Sequence, residues 1–144
     1  MIRYFDASAL VKRYVEENHS RDVAMKLSSS NAVTCRLSES EIASALARRH
    51  REGSLPRSAR NRLLAAMRLD MESLYLVEIT PEVSATAIEL LMRYSLRSGD
   101  APHLASALML ARRCNLEIQF VCYDQSLNEA AGREGLSPAR KGLN

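Results

Sequence analysis

The sequence has no tryptophan, two phenylalanines, five glycines, four prolines and three cysteines among its 144 residues. The shortage of large aromatics leaves no evident platform on which bases could stack. No G-x-G-x-x-G run occurs, which excludes a dinucleotide-binding domain. Cys35, Cys114 and Cys122 are scattered without C-x-x-C spacing. An odd count of that kind argues for reduced thiols rather than a disulfide framework or a metal motif. Cys35 and Cys122 fall inside apolar runs and read as small buried hydrophobes. The apolar stretches are too short to span a bilayer. Met1-Ile2-Arg3-Tyr4-Phe5 already reads as a strand, so no signal peptide is expected ahead of it. These absences predict a cytoplasmic protein with no membrane association.

What remains is ordinary material for one compact domain, expected to run over residues 1–144. With 20 Lys+Arg against 17 Asp+Glu the net charge is +3, which permits an RNA or acidic-protein partner without demanding one. No repeat, low-complexity tract or long linker interrupts the chain. Short β-like runs, Ile2–Phe5, Ala32–Cys35, Leu74–Ile79 and Ile118–Cys122, alternate with helical patterns. The helices are expected near Ser8–Glu17, Arg21–Ser29, Glu39–Glu52, Arg57–Glu72, Glu82–Tyr94, Ala101–Arg113 and Ser126–Arg133, with a last short strand at Leu136–Ser137. Such alternation is the pattern of an α/β domain with a mostly parallel sheet. Gly53 and Pro56 separate two helices, and Thr80-Pro81 opens another with proline at its first position.

Four acidic residues stand at junctions of this scheme. Asp6 and Asp124 follow strands directly, and the carboxyl ends of parallel strands share one crevice where ligands bind. Glu41 and Asp100 lie in the first turns of helices, whose starts can face the same crevice. Four carboxylates brought together repel one another. They are stable when some are protonated or when a hard divalent cation such as Mg²⁺ or Mn²⁺ is bound. The same residues also have a structural use. Asp before a helix caps backbone N–H groups, and Ser38-Glu39-Ser40-Glu41 has the form of a capping box. Spacing leaves both uses open.

Four segments resemble, in order, the motifs of PIN-domain nucleases. Tyr4-Phe5-Asp6-Ala7-Ser8 is similar to the first and Glu41-Ile42-Ala43-Ser44-Ala45-Leu46 to the second. Asp100-Ala101-Pro102-His103-Leu104-Ala105-Ser106-Ala107 is similar to the third, and Phe120-Val121-Cys122-Tyr123-Asp124 to the fourth. The chain departs from the pattern at Cys122, where Thr or Ser is frequent, and at Gln125 and Ser126, where some members carry another acid. The nearest likeness is to VapC-type toxins of toxin–antitoxin pairs.

The resemblance implies a three-layer α/β/α fold with a mainly parallel central sheet flanked by helices. It also implies a Mg²⁺- or Mn²⁺-dependent endoribonuclease. Asp6, Glu41, Asp100 and Asp124 would be its catalytic and metal-binding residues, supported by Ser8 and His103. A cognate antitoxin and a homodimeric state are implied as well. The alternative is a catalytically inactive PIN domain that binds RNA or protein.

A haloacid-dehalogenase phosphatase would need a second Asp where Ser8 stands, and a receiver domain an acidic pair near the amino terminus. Arg48-Arg49-His50-Arg51 with Arg57, Arg60 and Arg62 offer positive charge to RNA phosphates or, equally, a solvated hairpin. Lys12 and Arg13 lie nearer Asp6 and are expected to steer substrate. Leu63, Leu64, Met67, Leu69 and Met71 are material for either core or partner contacts.

Overall fold

Ile2-Arg3-Tyr4-Phe5 forms the central strand because both faces of it can be buried. Successive side chains of a strand point to opposite faces, and Tyr4 and Phe5, both fully buried, enter two separate cores. In the computed structural model, which describes residues 1–139, this strand β1 (Ile2–Phe5) pairs with β2 (Asn31–Cys35) and β4 (Ile118–Val121). The edges are β3 (Tyr75–Val77) and β5 (Ser137–Pro138). Every pairing is parallel, in the order β3-β2-β1-β4-β5. The last residues of the expected 1–144 domain, 140–144, lie outside the described residues.

Helices cover both faces, which is what a sheet buried on each side requires. On the Phe5 face lie α1 (Ala7–Tyr14), α2 (Ser20–Ser28), α3 (Leu37–Arg51) and α4 (Arg57–Ser73). Their core is built from Leu10, Val23, Ile42, Leu46 and Met67. On the Tyr4 face lie α5 (Pro81–Arg93), α6 (Asp100–Cys114) and α7 (Gln125–Arg133), contributing Leu90, Leu104, Leu108 and Leu127. Each fully buried side chain of this size contributes about 1.5–3 kcal/mol. The expected three-layer α/β/α architecture is present.

Three local differences from the sequence expectations have physical causes. The first helix stops at Tyr14 because Val15 turns extended and buries its side chain, which leaves Glu17 outside the helix. The third strand is shorter than Leu74–Ile79, since β2 offers only Val33–Cys35 opposite it. No capping box forms at Ser38: α3 begins at Leu37, and Ser38 Oγ lies buried 2.6 Å from Thr34 Oγ1. On α4, Met67 and Met71 are core, Leu63 and Leu64 pack partly buried against it, and Leu69 is exposed. Gly53 closes the α3–α4 turn at φ +84°, a conformation that favours glycine.

The sheet order sets where a ligand can bind. The chain leaves β1 toward β2 on one side and leaves β4 toward β5 on the other, so a crevice opens between the carboxyl ends of β1 and β4. Asp6 and Asp124 stand at that opening.

Candidate active site

Asp6 follows β1 and caps α1. Its Oδ1 accepts from Ala9 N–H at 2.8 Å and its Oδ2 from the Ser8 hydroxyl at 2.9 Å. Burial pushes the carboxyl up to about 6, against the pull of the Ala9 N–H, His103 and Ser8, and nearby Asp100 raises it further. Asp124 repeats the arrangement after β4, accepting from Leu127 N–H at 2.8 Å. For both residues the capping use and a place at the crevice coexist, because each carboxylate oxygen carries two lone pairs and the cap takes only one.

Asp100 is the first residue of α6 and not its cap. Arg97, three residues earlier, reaches 3.4 Å from Asp100 Oδ2 with Nε and 3.4 Å from Asp124 Oδ2 with Nη2. An exposed guanidinium of the chain itself thus spans two of the four carboxylates.

Glu41 extends from α3, and its Oε1 lies 2.9 Å from His103 Nε2. The histidine is almost fully buried, with Nδ1 2.8 Å from the Tyr4 hydroxyl and 3.5 Å from Cys35 Sγ. Burial by itself depresses the imidazole, but its bonds to Cys35 and Glu41 outweigh that and push it up to about 10. As an imidazolium both ring nitrogens donate, so His103 locks the Glu41 carboxylate from inside the protein. Cys122 stays a thiol: burial, then the charge of Asp6, pushes it well up.

A cleft of about 490 Å³ brings these groups into relation. Ser8, Glu41, Asp100 and Arg97 line it directly, together with Glu17, Arg48 and Arg49. Asp6 meets it through Ser8, and Asp124 is tied to it through Arg97. Of the basic residues, Arg48 and Arg49 line the cleft, and the expectation that Arg13 lies at it needs correction. Arg13 points away and pairs with Asp70 at 2.8 Å, because one step along a helix turns a side chain about 100°. Lys12 is held by Glu17 at 3.1 Å, and His50 Nδ1 is engaged with the Leu55 carbonyl at 2.9 Å. Arg51, Arg57, Arg60 and Arg62 are not among the cleft residues. Arg97, Glu17 and Tyr4 were missed in the sequence, where only the i,i+3 spacing of Arg97 to Asp100 gave a hint.

Carboxylate oxygens are the donors that Mg²⁺ and Mn²⁺ accept, and Arg97 already stands as a cation between two of them. Among the described residues no three His, Cys, Asp or Glu groups close on one point as metal ligands. Oxygen donors without sulfur or imidazole at the cleft are of the chemical kind that suits a hard divalent ion.

Comparison with known proteins agrees with the fold. A family model described as PIN domain matches residues 3–132. No curated protein matches the chain. Among solved structures, a toxin–antitoxin complex from Klebsiella pneumoniae is similar, with a TM-score of 0.61 at 15% identity, covering 86% of this chain and 88% of that one.

Proposed function

The chain belongs to the PIN domain family, whose members are generally nucleases, and from that premise we propose that it is a divalent-metal-dependent endoribonuclease. The observation that supports this reading is a cleft lined by Glu41, Asp100 and three arginines, to which Asp6 is linked through Ser8 and Asp124 through Arg97. Asp6, Glu41, Asp100 and Asp124 would hold Mg²⁺ or Mn²⁺. When bound, such an ion supplies positive charge against the phosphate and a more acidic water for attack.

The chain's own residues do the rest. Ser8 and the Ala9 N–H fix the Asp6 carboxylate. His103 Nε2 orients the Glu41 carboxylate through its contact with Oε1. Arg97, exposed and only loosely held at 3.4 Å, is free to move from the aspartates to a phosphate oxygen.

The structural likeness to a toxin–antitoxin complex supports a VapC-type toxin role for this chain, with a small antitoxin as partner. Ile88 and Met92, exposed one turn apart on α5, are apolar surface for an antitoxin or for a second copy in a homodimer. The setting we propose is the cytoplasm. No helix among the described residues is long and apolar enough to cross a membrane, and the three cysteines are unpaired.

Incubating the purified chain with total cellular RNA tests this reading. Cleavage should require Mg²⁺ or Mn²⁺, stop with EDTA, and vanish in a folded Asp6→Asn variant. Absence of cleavage with either metal would return the chain to the alternative, a domain that only binds RNA or protein.

A further inference from the structure

Once partners are assigned, the positive charges of the cleft are of two kinds. Glu17 holds Arg49 at 2.6 Å and Lys12 at 3.1 Å, and Arg97 spans Asp100 and Asp124. Arg48 lines the same cleft and is exposed. Among the described residues it has no ion pair and no side-chain hydrogen bond, so its charge is uncompensated.

Its position on α3 is ordered with respect to the acids. Glu41, Ser44, Ala45 and Arg48 all line the cleft, at the i, i+3, i+4, i+7 spacing of a single helix face. Seven residues separate the backbones of Glu41 and Arg48 by about 10 Å along the axis. Acid and free cation therefore stand two turns apart on one wall. No aromatic side chain lines the cleft, so a strand lying there is held through its backbone and not by stacked bases. A planar guanidinium suits a phosphate, which it can engage with two donors at once.

We infer that Arg48, with the Ser44 hydroxyl beside it, seats a phosphate of the RNA strand other than the one that is cut. This rests on the ribonuclease reading and deepens it: Arg48 sets where along the strand the acidic end of the cleft falls. The exposed Arg51, on the same helix but outside the cleft lining, has no such part.

The test uses the Asp6→Asn protein in EDTA, so that RNA is bound and not cut. Labelled single-stranded RNA of mixed sequence is titrated by fluorescence anisotropy across roughly 50–200 mM salt. Replacing Arg48 by Ala should weaken binding about tenfold at low salt and reduce the log K against log salt slope by about 0.7. Arg48→Lys should keep the slope, and Arg51→Ala should leave both affinity and slope in place. An unchanged slope in Arg48→Ala overturns the seat, and so does an equal loss in Arg51→Ala, which would mean diffuse attraction. Wild-type cleavage with Mn²⁺ is run in parallel. If cleavage persists while Arg48→Ala binds normally, only the seat is lost. If the wild type cuts nothing and the Asp6→Asn parent binds nothing, the nuclease reading falls with it.

Discussion

Two clefts share helix α1 and use it in opposite ways. Ala7, Ser8 and Val11 face the larger one, of about 490 Å³, while Leu10, Arg13 and Tyr14 face a smaller one of about 320 Å³. The two sets interleave because a helix turns 3.6 residues per revolution. In the smaller cleft the charges are answered within the wall. Arg13 pairs with Asp70 at 2.8 Å, and the Tyr14 hydroxyl donates to the same carboxylate at 2.7 Å. In the larger cleft the carboxylates outnumber their firm partners. Asp100 and Asp124 share one loosely held arginine, Asp6 is pushed up to about 6, and Arg48 has no partner among the described residues. Shifted groups occur in both clefts, Arg13, Tyr14 and Asp70 in the smaller and Asp6 beside the larger, so what separates the two is incomplete pairing, which makes the larger cleft the candidate. A pocket's volume says less than the state of its charges.

The largest expected effect is on the support beneath the larger cleft. His103→Ala empties a fully buried position and leaves Tyr4 and Cys35 without their partner, so it should destabilise the fold by about 2–4 kcal/mol in denaturant titrations, with little from the solvent-screened Glu41. The sign with pH follows from the raised imidazole. Its contribution is complete below the unfolded value of 6.5 and is lost as pH rises toward about 10. A loss under 1 kcal/mol would mean that the histidine is an ordinary filler and the comparison of the clefts is overstated.

Next comes a direct contrast of one aspartate from each cleft. Asp100→Asn should lower RNA cleavage by about 10²–10³-fold, whereas Asp70→Asn should leave it within about twofold while lowering stability. Equal effects on activity would erase the distinction.

A third measurement follows Asp6 alone. Its carboxyl is raised from 3.8 to about 6, so the folded protein binds this proton more tightly than the unfolded chain. The wild type should therefore lose about 3 kcal/mol relative to Asp6→Asn as pH rises from about 4 to about 6, with no further change above. Asparagine keeps the helix cap, so the difference reports the charge. Metal-free denaturation curves that stay parallel across that range would contradict the shift. Smallest of all, Tyr14→Phe should cost about 1 kcal/mol by removing one hydrogen bond to Asp70, with cleavage unaltered.

Much of the fold was legible in the chain. β1 and α4–α7 lie within about a residue of their expected bounds because their punctuation is local: Thr80 caps α5 with Pro81 behind it, and Pro56 precedes α4. The failures came where a distant partner intervened. Ser38 has the sequence of a cap, yet its hydroxyl turns to Thr34, whose own hydroxyl donates to the Phe5 carbonyl on the neighbouring strand. Arg13 follows Lys12 and reads like it, but Lys12 pairs with Glu17, which lines the larger cleft, and Arg13 with Asp70, which lines the smaller. For the candidate site, Asp6, Asp100 and Asp124 stand at strand ends or a helix start, as the sequence predicts. Glu41 does not: α3 begins two residues earlier than expected, at Leu37, which carries Glu41 past the first turn. The partners, Arg97 between Asp100 and Asp124 and His103 behind Glu41, have no such local signal.

By itself the sequence determined the succession of strands and helices and the posting of Asp6, Asp100 and Asp124 at element junctions. Those follow from short-range periodicity and capping, which act over a few residues. Only the tertiary structure decided which charges are spent and which are left over. Arg49 is spent on Glu17, 32 residues away, Arg13 on Asp70, 57 away, and His103 on Glu41, 62 away. Such pairs exist because a parallel sheet, wound in opposite directions from β1 and β4, sets helices from distant parts of the chain around one crevice. No local pattern encodes that meeting.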